Sequence, residues 1–144
     1  MDVYKLPNIL IVHLKRFSKD SGGSSRYGVY GMMSGSSKNS DLIDFPITGL
    51  DMTKYVLDPK TGESNVYDLY AISNHSGSLY GGHYIAHCMN SLDNKWYCFN
   101  DSSVSNSSTS HLVCATAYVL FYRRRNISSE QAEFSSGVDV DSLD

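Results

Sequence analysis

Residues 74 to 103, NHSGSLYGGHYIAHCMNSLDNKWYCFNDSS, predict a β-hairpin that carries a histidine at its open end. Gly81 and Gly82 immediately precede His83, so the backbone there can adopt a positive φ or let another chain come close. YIAHCM is typical of a strand, SLDNK of a turn, and WYCF of a second strand that ends in an asparagine and an aspartate. The hairpin would bring an imidazole close to two side chains that can accept its N–H.

The strand register decides which of these two side chains meets the histidine. If Asn90 pairs with Trp96, the alternation of side chains puts Asp101 on the face of His83 and Asn100 on the other face. A one-residue slip or a bulge would reverse this assignment. Both side chains therefore stay open as the partner of His83.

Three segments of the chain resemble the ubiquitin-specific proteases, papain-like cysteine proteases that remove ubiquitin. The segment YDLYAISNHSGSLYGGHYIAHCMNSLDNKWYCFNDSSVS is similar to the histidine box of that family. LPNILIVHLKRF resembles the strand before the box, and ATAYVLFYRR resembles the strand that closes the catalytic domain. Together these segments cover most of residues 4–124. The resemblance implies an α+β, papain-like cysteine protease fold, here mainly its antiparallel β-sheet half.

The resemblance also implies roles for individual residues. The family's catalytic histidine falls on His83, its third triad member on Asn100, and a second polar residue on Asp101. We also predict Gly81, Gly82 and Tyr84 as substrate-binding residues, on the packing hypothesis that a narrow cleft beside the two glycines suits a substrate tail that itself ends in two glycines. The family's Gly-Asn-Thr-Cys segment, which carries the nucleophile, has no counterpart in these residues.

The three cysteines are not placed to replace that nucleophile. Cys88 lies five residues beyond His83 in one predicted strand, so it projects to the opposite face, and Cys98 and Cys114 lie in or near other apolar strands. Small, buried apolar side chains are the role we predict for them. Without CxxC spacing they suit a reducing compartment, and we expect an intracellular protein, cytoplasmic and/or nuclear.

No cofactor or metal is expected. His75 is delivered by a predicted strand to the rim of the glycine loop, but its spacing from His83 and His87 matches no standard metal site. The first 125 residues carry twelve basic and ten acidic side chains, whereas the last nineteen carry five acids and no base. Neither balance favours nucleic acid as a partner, and no apolar run approaches membrane length.

The domain organisation follows from composition. Residues 1–125 are expected to be the C-terminal portion of a catalytic domain, with a Gly- and Ser-rich loop insertion at 18–41 and an acidic, disordered tail at 126–144. By its place the loop corresponds to one that overlies the ubiquitin tail in the family. The resemblance also puts Lys15 and Arg16 near the ubiquitin-binding face.

The strand pattern predicts an antiparallel sheet of about five strands with little helix. The continuous apolar run NILIVHL, residues 8–14, predicts a central strand buried on both faces. In the later strand, alternation puts Tyr67, Leu69, Ala71 and Ser73 on one face. Such a sheet would expose apolar surface unless a missing N-terminal half of the domain covered it.

Two functions remain open from the sequence. The first is a deubiquitinating thiol protease that hydrolyses the bond after the C-terminal glycine of ubiquitin, with this chain supplying the histidine and asparagine side of the triad. Its partners would be ubiquitin, ubiquitinated proteins and the missing half. The alternative is a truncated, catalytically inactive fragment that binds ubiquitin or another partner. In both cases we expect this chain alone to be inactive.

Overall fold

The computed structural model describes residues 2–19, 36–57, 63–78 and 80–125, which form a seven-stranded antiparallel sheet and a separate two-stranded ribbon. Two 3₁₀ helices, Thr53–Tyr55 and Thr109–His111, complete the secondary structure of these ranges. The strands are β1 (Ile9–His13), β2 (Phe17–Lys19), β3 (Ser36–Lys38), β4 (Leu50–Asp51), β5 (Val66–Ser78), β6 (Gly81–Met89), β7 (Trp96–Asn100), β8 (Ser103–Ser107) and β9 (Ala117–Arg124).

The sheet is built around β5, the longest strand, with 13 residues. Its order is β1-β9-β5-β6-β7-β8, and β4 pairs with the start of β5. The predicted antiparallel sheet with little helix is confirmed for the described residues. The expected number of strands was too low, because β4 has only two residues and β8, SVSNS, lacks the run of apolar side chains that predicts a strand.

The core lies on one face of the sheet. Leu69 lies opposite Tyr122, and Ile72 opposite Leu120, so these four buried side chains share that face. Segments outside the strands cover it and add Leu6, Phe45 and Leu112 to the core cluster. Within the described ranges, no helix has the length and apolar character needed to cross a membrane.

The apolar strand β1 does not lie at the centre of the sheet, as its sequence predicted. Among the described strands it pairs with β9 alone and forms an edge, with Ile9 and Ile11 exposed by 43% and 58%. Leu10 and Val12 point to the other face and pack against the core. A continuous apolar run therefore indicated two faces that avoid water, but the described residues cover only one of them.

The alternation predicted for β5 fails at Tyr70. A β-bulge there shifts the pairing of β5 with β9 by one residue. Beyond it, Ile72 and Asn74 occupy the buried positions that simple alternation assigned to Ala71 and Ser73. A bulge reverses the two faces of a strand, so the predicted face was wrong for the second half of β5.

The predicted loop insertion begins and ends as an antiparallel ribbon. Phe17–Lys19 pairs with Ser36–Lys38, so residues 18–19 and 36–38 of the range that the sequence assigned to a loop belong to strands. Residues 20–35 of that range lie outside the described residues, as does the predicted tail at 126–144.

Arg16 stabilises the base of this ribbon. Its side chain is 3% exposed; Nε donates to the carbonyl of Ala117 at 2.6 Å, and Nη1 donates to the carbonyls of Asn39 and Asp41, each at 3.0 Å. A guanidinium that binds three carbonyls is turned inward, and the place of Lys15 and Arg16 near the ubiquitin-binding face stays a prediction.

Candidate active site

The hairpin β6–β7 has a register one residue away from the simple one. Met89 lies opposite Trp96, whereas the sequence-based register paired Asn90 with Trp96. The shift moves Asn100 to the face of the sheet that carries His83. The register that favoured the neighbouring aspartate is therefore wrong, and the alternative assignment applies.

The turn between the strands explains the shift. The amide of Asn90 donates to the carbonyl of Lys95 at 2.9 Å, so the turn closes one residue before Trp96. Within the turn, Asn94 adopts a left-handed φ of 55° and donates its amide to the carbonyl of Asn90. Asparagine tolerates that conformation better than most residues, so the turn is locally consistent with its sequence.

His83 and Asn100 are joined directly. Nε2 of His83 lies 2.6 Å from Oδ1 of Asn100, and both residues are exposed. An amide oxygen only accepts, so Nε2 of His83 carries the proton that it donates. The lone pair of the neutral ring is then on Nδ1 and is available to take a proton from a neighbouring group.

Asp101 has a different position. It lies in the two-residue turn between β7 and β8, with a left-handed φ of 51°, and its side chain is exposed. Among the described residues, no hydrogen bond joins Asp101 to His83. The hairpin therefore brings one of the two predicted partners to the imidazole and leaves the other in the adjacent turn.

The two glycines before His83 differ in their surroundings. A Cβ added to Gly82 would lie 2.2 Å from Nε2 of His75 and 2.4 Å from the carbonyl oxygen of Ser76, whereas a Cβ on Gly81 would meet nothing within 4 Å. The close backbone approach expected of this pair therefore holds at Gly82. The expected positive φ is found instead at Gly77, which lies opposite Gly82 on β5 and has a φ of 120°.

A pocket of about 340 Å³ opens beside these glycines. Tyr84 forms part of its wall and is 55% exposed, and the centroid of its ring lies 4.7 Å from the centroid of the His75 ring. All three residues predicted to bind substrate, Gly81, Gly82 and Tyr84, therefore line this pocket. Its lining residues are Phe17, His75, Ser78, Tyr80, Gly81, Gly82, Tyr84 and Tyr118.

A buried polar pair lies on the other side of the same strands. Nδ1 of His87 accepts from Nδ2 of Asn74 at 2.7 Å, and both residues are almost completely buried. Burial lowers the pKa of His87 below its ordinary value, and the nearby His111 lowers it further. Sequence analysis missed this pair because the bulge in β5 is what turns Asn74 inward.

The thiols lie away from the imidazole. Cys88 projects to the face opposite His83, and burial raises the pKa of its thiol. Cys98 shares the face of His83, but its cross-strand partner is His87. Because His87 lies four residues from His83 along β6, Cys98 is roughly 13 Å from the His83 imidazole. Cys114 contacts the Thr116 hydroxyl at 3.2 Å. All three are half-buried, less deeply than predicted.

In the described part of the chain, no group of three or more His, Cys, Asp or Glu side chains is arranged to hold a metal ion. His75 and His87 lie on opposite faces of the sheet. Tyr84, the cross-strand partner of His75, is three residues from His87 along β6, and side chains an odd number of residues apart in a strand point to opposite faces. The chemistry available here is proton transfer by an imidazole that an amide orients.

An antiparallel sheet with a histidine–asparagine pair at the end of one hairpin defines the β half of a papain-like cysteine protease. The family comparison makes this class specific. The family model described as ubiquitin carboxyl-terminal hydrolase matches residues 1–122. The chain belongs to that family.

Individual relatives share close to half of the aligned residues. Ubiquitin carboxyl-terminal hydrolase 10 of Arabidopsis thaliana is 44% identical over 145 residues, covering 99% of this chain and 14% of the relative. Ubiquitin carboxyl-terminal hydrolase 15 of Homo sapiens is 45% identical over 129 residues, covering 90% of this chain and 12% of the relative. The chain therefore spans about one seventh or less of the length of these curated relatives.

Solved structures give the same result for the fold. The Ubp8-Sgf11-Sgf73-Sus1 SAGA DUB module matches with a TM-score of 0.69 and 36% identity, over 88% of this chain and 26% of that one. The Ubp8/Sgf11/Sus1/Sgf73 module bound to ubiquitin aldehyde matches with a TM-score of 0.68 and 33% identity, with the same coverage.

Proposed function

We propose that this chain supplies the base side of a deubiquitinating cysteine protease that hydrolyses the bond after the C-terminal glycine of ubiquitin. The observation that carries the proposal is the 2.6 Å hydrogen bond between Nε2 of His83 and Oδ1 of Asn100. The bond fixes the tautomer and leaves Nδ1 as the base. The nucleophilic thiol would come from protein outside these 144 residues.

The reaction divides into two acyl transfers. Nδ1 of His83 takes the proton of the incoming thiol, and the thiolate attacks the carbonyl carbon of the terminal glycine. The C–N bond breaks when the imidazolium returns that proton to the leaving lysine amine. Water, deprotonated by the same imidazole, then hydrolyses the thioester and releases the glycine carboxylate. Asn100 orients the ring through both steps, and Asp101 adds a negative charge near the imidazolium.

The substrate side of the proposal rests on the pocket. Two glycines and an exposed tyrosine border it, so a narrow extended tail without side chains can lie against Gly81, Gly82 and Tyr84. The similarity to a module bound to ubiquitin aldehyde supports ubiquitin as the ligand. The partners we propose are therefore ubiquitin, ubiquitinated proteins and the half of the domain that bears the thiol.

The exposed apolar residues support that last partner. Ile9 and Ile11 at the sheet edge, with Leu42 and Leu57, form surface that another part of a larger domain would cover. Three free cysteines, with no disulfide among them, support an intracellular location, cytoplasmic and/or nuclear.

The test is covalent labelling by ubiquitin that carries a C-terminal electrophile. This chain alone should form no adduct, and a fragment bearing the family's Gly-Asn-Thr-Cys segment, once mixed with it, should be labelled on the fragment's own cysteine. His83→Ala should abolish labelling, whereas His111→Ala, which removes an exposed histidine outside the site, should not.

Two results would contradict the proposal. A stoichiometric adduct on Cys88, Cys98 or Cys114 of the isolated chain would show that the chain holds its own nucleophile. Ubiquitin binding by the mixture without any labelling would favour the alternative, an inactive fragment that binds ubiquitin or another partner.

A further inference from the structure

His75 is a buried imidazole that the proposed reaction does not use. It lies near the end of β5 and is 3% exposed. Aromatic rings surround it: Tyr84 at 4.7 Å between ring centroids, Phe17 at 5.5 Å and Tyr118 at 5.8 Å. All four side chains line the pocket beside the glycines. His75 is thus the one imidazole in a wall that is otherwise made by aromatic side chains, glycines and a serine.

The two nitrogens of this ring have different surroundings. Nδ1 is buried, and within the described ranges it has no hydrogen-bond partner. Nε2 lies beside Gly82, where a Cβ would approach it to 2.2 Å. A buried N–H without a partner is rarer in proteins than an acceptor without one, so the proton of the neutral ring belongs on Nε2.

The surroundings also keep the ring neutral. Burial lowers the pKa of His75 below its ordinary value, and the positive charge of Lys38 lowers it further. Lys38 is held in place by its Nζ, which donates to the carbonyl of His75 at 2.6 Å. A neutral ring with its proton on Nε2 presents one N–H donor at the pocket and no charge.

We propose that His75 is a substrate-binding residue whose Nε2–H donates a hydrogen bond to a backbone carbonyl of the glycine tail in this pocket. The proposal rests on the proposed function and adds a polar anchor to it. Because Gly82 has no Cβ, the ring of His75 can lie directly against its backbone at the pocket; a Cβ at position 82 would lie 2.2 Å from Nε2 and displace the ring. The glycine and the histidine therefore form one recognition element.

Two variants separate the hydrogen bond from the packing. His75→Phe keeps an aromatic ring against Tyr84 but removes the donor, whereas His75→Gln keeps an N–H donor and removes the ring. Ubiquitin affinity is measured on the full chain, with any adjoining sequence that its gene encodes, using intact ubiquitin and ubiquitin that lacks its last two glycines.

A lost hydrogen bond should weaken binding of intact ubiquitin to His75→Phe about tenfold and leave binding of the truncated ubiquitin unchanged. His75→Gln should bind intact ubiquitin within about threefold of the parent. Equal affinities for the parent and His75→Phe would overturn the inference, and so would an equal loss in both variants, which would show a packing role. A parent that binds intact and truncated ubiquitin alike would instead refute the tail pocket of the proposed function.

A measurement on the unmutated protein is independent of how the variants fold. Nitrogen-15 spectra of the histidine rings should show His75 neutral with its proton on Nε2, and that proton should shift downfield when intact ubiquitin binds. A proton on Nδ1, or no change at Nε2 on saturation with ubiquitin, would refute the assignment.

Discussion

Replacing each of the two glycines by alanine should have opposite effects, although they are adjacent in sequence. At Gly82 the new methyl group would lie 2.2 Å from Nε2 of His75 and 2.4 Å from the carbonyl oxygen of Ser76. At Gly81 it would meet nothing within 4 Å, and the backbone there is not in the left-handed region. The pair is therefore a matched test of close backbone approach.

The magnitudes follow from the contacts. Ser76 belongs to the strand paired with β6, so its carbonyl cannot move without disturbing the β5–β6 pairing. Forcing a methyl group into such a space costs about 1–3 kcal/mol of unfolding free energy. Gly81→Ala has no such contact and restricts the unfolded chain, which stabilises the fold by about 0.5 kcal/mol. We expect the two variants to differ by about 2 kcal/mol.

The assay is chemical unfolding of the parent and both variants under one set of conditions, with the slope on denaturant checked for constancy. Adding His75→Ala to Gly82→Ala should recover part of the loss, because one of the two clashing groups is then gone. Stabilities of Gly81→Ala and Gly82→Ala that agree to within about 0.5 kcal/mol would refute the close approach.

Two further predictions concern the imidazoles. In the complete enzyme, Asn100→Ala should lower kcat at least about tenfold, because His83 loses the acceptor that orients it. Asp101→Ala should lower kcat less. Steady-state kinetics that put kcat of both variants within about twofold of the parent would contradict this. Burial lowers the pKa of His75 and of His87, so as the pH falls these imidazoles bind protons in the unfolded chain before they do so in the folded protein. The free energy of unfolding should therefore fall as the pH drops below about 6.5. Chemical unfolding with a midpoint that does not change with pH would contradict this.

The sequence predicted the hairpin but not its register. Glycines, a turn and two apolar strands are local signals, and each was sufficient to place an element. Register depends on one hydrogen bond, from the amide of Asn90 to the carbonyl of Lys95, and on the left-handed Asn94 that allows it. The resemblance pointed to Asn100, whose Oδ1 lies 2.6 Å from Nε2 of His83, because a position-by-position match does not depend on the strand register.

The two wrong strand predictions share a physical cause. Apolar character reports that a side chain avoids water, but it does not say which element covers it, so β1 was placed at the centre and lies at an edge. The bulge at Tyr70 is likewise invisible to alternation, because it depends on how β5 fits against β9, more than 40 residues later in sequence. Both are properties of the assembled sheet.

One strand carries both halves of the proposed chemistry. Side chains alternate along β6, so Gly82 and Tyr84 line the pocket on one face while His83 between them meets Asn100 on the other. A substrate tail that pulls on the backbone at Gly82 therefore acts on the base one residue away. Changes in the pocket wall should alter kcat as well as ubiquitin affinity, because a shift of His83 by about 1 Å is enough to slow proton transfer.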